Sequence, residues 1–288
     1  MTPDGLSVAL RALSLVALYQ AAGTVFFLAL MRGALARSAA GIRRLALASA
    51  LLAAPLVVAH ETLEAARMAD SFAGLIDPGM LRLAWFSGNG AAHVAQLAGL
   101  GAIAAALGGT TTGGGRLRLA TVGAVVAALA LTLTGHSRTH PAHGLFALLL
   151  GVHLLVVAFW FGALWPLLQV LRAEPVALAG RVLARFSLLA GRSVPLILLA
   201  GLGMAWLLVQ DWSVLRRPYG ELLLMKLAGY LLLLALAAWN RWRLTPLLQA
   251  NSVTAVPALR RIIGAEFVLI CAVLTLTANL TALYSPEG

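Results

Sequence analysis

Histidines are concentrated in one short stretch of this sequence. His136, His140, His143 and His153 lie within eighteen consecutive positions at the start of a strongly apolar run, and they are four of the six histidines in the chain. A neutral imidazole is the commonest metal ligand in proteins, and a polar side chain inside a membrane is costly unless it has a partner. The stretch therefore predicts a metal site in a membrane setting. The alternative is a set of solvated loop histidines that bind nothing.

The two remaining histidines lie at the ends of other apolar runs. His60 and Glu64 are four residues apart, so in a helix they share one face, where a carboxylate can orient the imidazole or bind the ion itself. A plain hydrogen bond between them at the helix end is the alternative. His93 lies just inside the next apolar run, after the turn signal of residues 87–90. Both histidines are candidate ligands.

Any sulfur ligand in this chain has to come largely from methionine. Cys271 is the only cysteine, so the chain has neither an internal disulfide nor a paired-cysteine metal motif. Thioether sulfur beside imidazole suits Cu(I), and Met204 and Met225 lie in apolar runs on the same predicted side as the histidines. Core packing is the alternative role of both methionines. The predicted metal ligands are His60, His93, His136, His140, His143, His153, Met204 and Met225.

Composition places these residues in a membrane protein. Hydrophobic residues make up 61% of the chain and charged residues 11%, whereas soluble domains carry about 25% charged residues. A run of about 20 apolar residues crosses a bilayer, and only helices and closed barrels satisfy their backbone there. We predict an all-α fold, a polytopic integral membrane helical bundle that forms a single transmembrane domain over 1–288. Its eight spans are predicted near 6–31, 45–66, 91–107, 119–134, 143–171, 188–209, 221–240 and 262–284, with a loop at 244–259.

The basic residues set the orientation of these spans. Of the 21 lysines and arginines, 13 fall in alternate loops that we assign to the cytoplasm, 5 in the opposite loops and 3 within spans. Because cytoplasmic loops carry the excess of basic residues, both termini are predicted to be periplasmic, in a multi-pass protein of the bacterial inner membrane. The net charge of +11 then belongs to loops at the bilayer surface, so the predicted partner is lipid and nucleic acid is not implied.

All six histidines then lie in the outer half of the bundle. His153 is ten residues beyond His143, which in a helix places it about 15 Å deeper, roughly half-way through the hydrocarbon. One ion cannot bind both residues at that separation. The spacing predicts a ladder of ligands from the periplasmic mouth to the midplane.

Several short motifs in the chain resemble one family. They are Gly135-His136, His153-Leu154-Leu155, Phe159-Trp160-Phe161-Gly162, Pro166, Arg185-Phe186-Ser187, Tyr219-Gly220, Leu223 to Lys226, Asn240-Arg241, Pro246 and Glu266. In these residues the chain is similar to the copper resistance D family of inner-membrane proteins, the CopD and PcoD type, best over 135–285. The resemblance implies copper transport between periplasm and cytoplasm in copper resistance and homeostasis. It also implies copper ions as the ligand and a separate periplasmic CopC-type copper-binding protein as a partner.

Two other functions stay open on the sequence. Two histidines from facing helices, among His60, His93 and His153, can ligate haem b in a membrane cytochrome. A membrane subunit that only docks a periplasmic copper chaperone is the other alternative. No nucleophile, Walker or Rossmann motif is present, so an enzyme is not predicted. At the cytoplasmic end, Asn240-Arg241 is predicted to meet Glu266 in a structural ion pair.

Overall fold

The computed structural model describes residues 3–86, 90–109, 113–135, 140–208, 218–250 and 252–283. Helices make up nearly all of these residues, and no strand occurs among them, which confirms the all-α fold class. In chain order the α-helices are α1 (Pro3–Met31), α2 (Ala39–Met68), α3 (Pro78–Phe86), α4 (Gly90–Leu107), α5 (Gly114–Leu129), α6 (His143–Ala173), α7 (Val176–Leu208), α8 (Pro218–Trp239), α9 (Thr245–Gln249) and α10 (Ala255–Leu283). Apolar runs of this length form helices because each backbone N–H then finds its partner within the segment.

Eight helical segments of the described ranges are long and apolar enough to cross a membrane, which confirms the predicted number. Helices α7 and α10 begin earlier than predicted, at Val176 and Ala255 instead of near 188 and 262, and the seventh segment differs from the prediction at its end. Helix α8 passes through a π-helical segment, Asn240–Leu244, into α9, so the segment ends at Gln249 and residues 244–249 are not a loop. Pro246 does not stop it, because it stands in the first turn of α9, where its missing N–H loses least.

Helix α1 is the centre of the bundle. It packs against α2, α5, α6 and α10, and 72% of its apolar stretch is buried. Its contact with α6 is closest where Gly23 faces Gly162, because a Cβ atom on either glycine would collide with backbone atoms of the other helix. Helices in lipid associate through such close packing, since lipid supplies no hydrophobic drive between them. The first helix therefore joins the two halves of the chain.

A carboxylate at the end assigned to the cytoplasm ties α6 to the start of α2. One oxygen of Glu174 accepts hydrogen bonds from the backbone N–H groups of Ala36, Arg37 and Ser38 and from the Ser38 hydroxyl, at 2.7 to 3.0 Å. These N–H groups come just before the first residue of α2, and the amino terminus of a helix favours negative charge. Burial opposes ionisation of Glu174, but these hydrogen bonds outweigh it and lower the pKa of Glu174 below its usual value.

The carboxyl-terminal helices are packed more loosely than the rest. Helix α7 packs against α6 and α9, and α8 packs against α10, but α7 and α8 share no packed interface in the part of the chain that the structure describes. Only 6% of the apolar stretch of Pro218–Gln249 is buried, so most of this span faces its surroundings. The consequence is a gap between α7 and α8, backed by α6 and α10.

Candidate metal centre

His60 and His93 face each other near the end of the bundle that is assigned to the periplasm. His60 lies late in α2 and His93 lies in the first turn of α4, and the packing of these helices brings the two imidazole centroids to 6.4 Å, tilted by 42°. Two imidazoles that bind one ion from opposite sides, at metal–nitrogen distances of about 2.0 Å, have centroids about 6 Å apart. Both side chains are buried, with exposures of 5% and 8%. The pair is therefore spaced for one shared ion.

Glu61 holds the ring of His93. Its Oε2 atom lies 2.6 Å from His93 Nε2, and the carboxylate is 3% exposed. In the neutral imidazole that a metal requires, Nε2–H donates to Glu61, which leaves the lone pair on Nδ1. That Nδ1 atom is buried and has no hydrogen-bond partner among the described residues. A buried lone pair without a partner is costly, and a metal ion would use it.

His60 belongs to a chain of polar contacts between α1 and α2. Its Nε2 atom lies 3.5 Å from the Ser7 hydroxyl and 3.6 Å from Glu64 Oε1. Glu64 is held more closely by other groups, because it accepts from the Ser7 hydroxyl at 2.9 Å and from Arg67 at 2.9 and 3.1 Å. The predicted pairing of His60 with Glu64 is present, but Arg67 is the main partner of this carboxylate.

Two arginines balance the carboxylates around the histidine pair. Arg67 also donates to Asp4 and to the backbone carbonyl of Ala282 in α10, both at 2.9 Å. Arg11 of α1 acts electrostatically on Glu61 and Glu64 and on the imidazole of His60. Three carboxylates and two guanidinium groups therefore lie around the histidine pair. The carboxylates are Asp4, Glu61 and Glu64, and the guanidinium groups are Arg11 and Arg67.

The histidines at the start of α6 lie in another part of the same end of the bundle. His140 is half-buried, its Nδ1 atom accepts the backbone N–H of Ala142 at 3.0 Å, and its ring lies 6.0 Å from that of Phe146. His143 is the exposed first residue of α6. His136 lies outside the described residues. Since Nδ1 of His140 is already engaged, only its Nε2 atom remains for a metal ion.

His153 of α6 lies deeper in the bundle, on the side of α7 and α8. Its ring lies near the backbone of Ile197 in α7, and Lys226 of α8 acts on it electrostatically. Its Nδ1 atom is buried without a hydrogen-bond partner in the described ranges, as in His93. His143 and His153 thus lie at two depths on α6, whereas His60 and His93 form a pair between α2 and α4.

The two candidate methionines differ in their surroundings. Met204 is half-buried in α7, whereas Met225 is 55% exposed on α8. An exposed side chain at this depth faces lipid, so Met204 is better placed to reach an ion inside the bundle. Over the described part of the chain, no three His, Cys, Asp or Glu side chains are grouped closely enough to hold a metal ion. The described side chains therefore offer pairs of ligands instead of one closed cage.

Sequence reasoning missed the residues that position this pair. It assigned Glu64 to His60 and gave no role to Glu61, although a carboxylate within a membrane helix requires a partner. That requirement was the available signal, and His93 satisfies it. Ser7 was also missed, because the contact of α1 with α2 is not encoded in the spacing of either helix.

Two family models match the chain. The model described as Copper resistance protein D-like, N-terminal domain, matches residues 1–144, and the model described as Copper resistance protein D matches residues 180–280. The first range contains His60 and His93, and the second contains Lys226 and Glu266. No curated protein and no solved structure matches the chain. Since the two family matches together cover most of its length, the chain belongs to the copper resistance protein D family.

Proposed function

We propose that this protein transports copper across the bacterial inner membrane in copper resistance and homeostasis, and that the ion enters from the periplasmic side. Membership of the copper resistance protein D family and eight apolar spans support a multi-pass membrane protein that handles copper. We propose that a periplasmic CopC-type protein supplies the ion at the mouth. The proposed ligands are His136, His140 and His143 at the mouth, His60 and His93 in the bundle, and His153, Met204 and Met225 along the path.

The observation that carries this proposal is the buried pair of His60 and His93. The ring separation of 6.4 Å suits one ion, and Glu61 holds His93 so that its Nδ1 lone pair has no other partner among the described residues. The buried carboxylate of Glu61 beside His93 favours a bound cation. Imidazole is a suitable ligand for copper, and the burial of both side chains limits competition from water.

We propose His153 as the next position on the path. An imidazole near the midplane is costly unless it is bonded, and its Nδ1 atom has no partner within the described ranges. Met204 lies seven residues beyond Ile197 on α7, so it shares the face that contacts His153 and stands about 10 Å nearer the outer end. A path on which the thioether of Met204 is followed by the imidazole of His153 offers ligands that suit Cu(I).

Binding of Cu(I) to the purified protein tests the histidine pair. Under anaerobic competition with a Cu(I) chelator, we expect His93→Leu to lower the affinity by more than about tenfold, because it removes a ligand held by a carboxylate. Val94→Leu is the matched control, since Val94 is the next residue of α4 and is 61% exposed. An unchanged affinity in His93→Leu would remove this pair from the site.

Copper uptake into proteoliposomes that contain a copper-sensitive dye tests transport. We expect uptake by the wild-type protein and its loss in His93→Leu, with Val94→Leu unaffected. Copper binding without uptake would support a docking partner of a periplasmic chaperone instead. A Soret band in the visible spectrum of the purified protein would support the haem b cytochrome.

Reporter fusions test the proposed orientation. Ser38 lies between α1 and α2, and Asp70 follows α2, so the two positions are at opposite ends of one span. We expect a fusion at Ser38 to report cytoplasm and a fusion at Asp70 to report periplasm, because the basic loops follow α1 and not α2. The opposite result would place the histidine pair on the cytoplasmic side and reverse the direction of the path.

A further inference from the structure

A cavity of about 540 Å³ lies towards the cytoplasm-assigned end of the carboxyl-terminal helices. It occupies the gap between α7 and α8, with α6 and α10 as its inner wall. Its lining is mainly apolar, and its polar groups include Ser187, Asn240, Arg241 and Glu266. A cavity of this size with a few convergent polar groups is the usual form of a ligand site in a protein.

Glu266 is the unusual group in this cavity. Its side chain is 3% exposed, and its Oε1 atom accepts a hydrogen bond from Asn240 Nδ2 at 2.6 Å. No Lys, Arg or His among the described residues lies within ion-pair distance of it. The predicted meeting of Asn240 with Glu266 is confirmed, but the predicted ion pair with Arg241 is wrong, because Arg241 donates instead to the backbone carbonyl of Ser187 at 2.7 Å. A buried carboxylate without a cation is costly in its charged form.

Asn240 presents an unsatisfied group beside Glu266. Its Oδ1 atom is buried and has no hydrogen-bond partner in the described part of the chain. Asn240 also begins the π-helical segment, a distortion of the helix that occurs frequently at functional sites. The amide oxygen of Asn240 and the carboxylate of Glu266 are both hydrogen-bond acceptors, and both residues line the cavity. A proton or a proton-donating water is the ligand that suits both.

The other charges around the cavity do not neutralise Glu266. Arg192 of α7 is exposed, and Arg241 is bonded to Ser187 on the opposite wall. The cavity lining from α6 and α10 contains no charged residue besides Glu266 itself. We propose that Glu266 is a proton-exchange site, whose carboxyl group takes up a proton from water in this cavity and releases it there, with Asn240 as its positioning residue. The only bond that forms or breaks is the one between the proton and a carboxylate oxygen.

Coupling of this site to copper rests on the proposed function. Trp160, in the cavity wall, is seven residues from His153 on α6, which is about 10 Å along the helix. A copper ion that has reached His153 adds a positive charge near the cavity and favours loss of the proton from Glu266. By reciprocity, a proton on Glu266 disfavours copper at that position. Inward movement of copper is then linked to release of a proton.

Infrared difference spectroscopy of the full-length protein in lipid tests the proton site without copper. A step to higher pH should remove the C=O stretching band of a protonated carboxylic acid in the wild-type protein, and Glu266→Gln should lack this change. Glu221→Gln is the matched control, because Glu221 is an exposed carboxylate at the start of α8, far along that span from Asn240. Glu266→Asp should keep the change with a shifted band. Difference spectra that are identical in wild type and Glu266→Gln would overturn the proposal.

Proton movement during copper uptake tests the coupling. A pH-sensitive dye inside proteoliposomes should report proton movement when Cu(I) is taken up by the wild-type protein and by Glu221→Gln, and this signal should be lost in Glu266→Gln. Copper uptake without proton movement in the wild-type protein would overturn the coupling. Absence of copper uptake in the wild-type protein would contradict the proposed transport instead, while the infrared result would still decide whether Glu266 exchanges a proton.

Discussion

The two polar clusters of this protein are stabilised in opposite ways. At the end assigned to the periplasm, Glu61 and Glu64 each have a close hydrogen-bonding partner, His93 and Arg67, within tightly packed helices. At the other end, Glu266 has one amide partner among the described residues and lies beside a cavity between helices that do not pack together. A buried charge persists in a membrane only when it is neutralised. The first arrangement therefore suits a fixed ion site, and the second suits a group that changes its own charge.

The largest expected effect concerns the difference in packing between the close contact of α1 with α6 and the loosely packed helix α7. Gly162→Ala places a Cβ atom against the backbone of α1, so we expect the free energy of unfolding to fall by about 3 kcal/mol or more, since overpacking typically costs about 1–3 kcal/mol and backbone cannot move aside. Gly201→Ala in α7 is the control, because nothing lies near its added Cβ and alanine favours helix by about 1 kcal/mol. Thermal unfolding in detergent measures the stability of both variants. Equal losses of stability would contradict the difference in packing between the two regions.

The second prediction separates folding from function at the midplane. His153→Leu should leave the protein as stable as wild type or slightly more stable, because leucine removes a buried nitrogen that has no partner among the described residues. Copper uptake should nevertheless be lost. Val152→Leu, the neighbouring residue of α6, should keep both properties. A destabilised His153→Leu that still moves copper normally would show that His153 holds helices together and lies off the path.

The third prediction compares the two carboxylates of the outer cluster. Glu61→Gln should weaken Cu(I) binding by about 10- to 100-fold, because it removes the charge that orients His93. Glu64→Gln should have a smaller effect, since Glu64 lies 3.6 Å from His60 and is held mainly by Arg67. Competition with a Cu(I) chelator measures both variants. The reverse order of effects would assign the orienting role to Glu64.

The smallest expected effect is on the contact that joins α6 to the start of α2. Glu174→Gln should lower the free energy of unfolding by about 1 kcal/mol at neutral pH, because glutamine keeps an acceptor but loses the charge. The lowered pKa of Glu174 means that this stabilisation is present above about pH 4.5, the usual glutamate value, and is lost as the pH falls through the lowered pKa. Unfolding measured against pH should show the two proteins converging in acid, and a constant difference would contradict the ionised contact.

Much of the fold could be predicted because its causes are local in the sequence. Apolar runs of bilayer length specify the eight spans, since a membrane leaves the backbone few alternatives to helix. Motifs such as Asn240-Arg241 and Glu266 were sufficient to predict the family that the two matches confirm. The end of the seventh span was predicted less well, because the arginines and proline of residues 241–246 resemble a loop although they continue the helix. The ligand ladder stays a prediction.

The tertiary structure alone decided which polar residues meet. Glu61 finds His93 only because α2 packs against α4, and Glu266 lacks the predicted ion pair because Arg241 turns to α7. Helical periodicity determines the face on which a residue lies, but it does not determine which helix covers that face. That choice depends on crossing geometry and on close contacts between distant residues, as between Gly23 and Gly162.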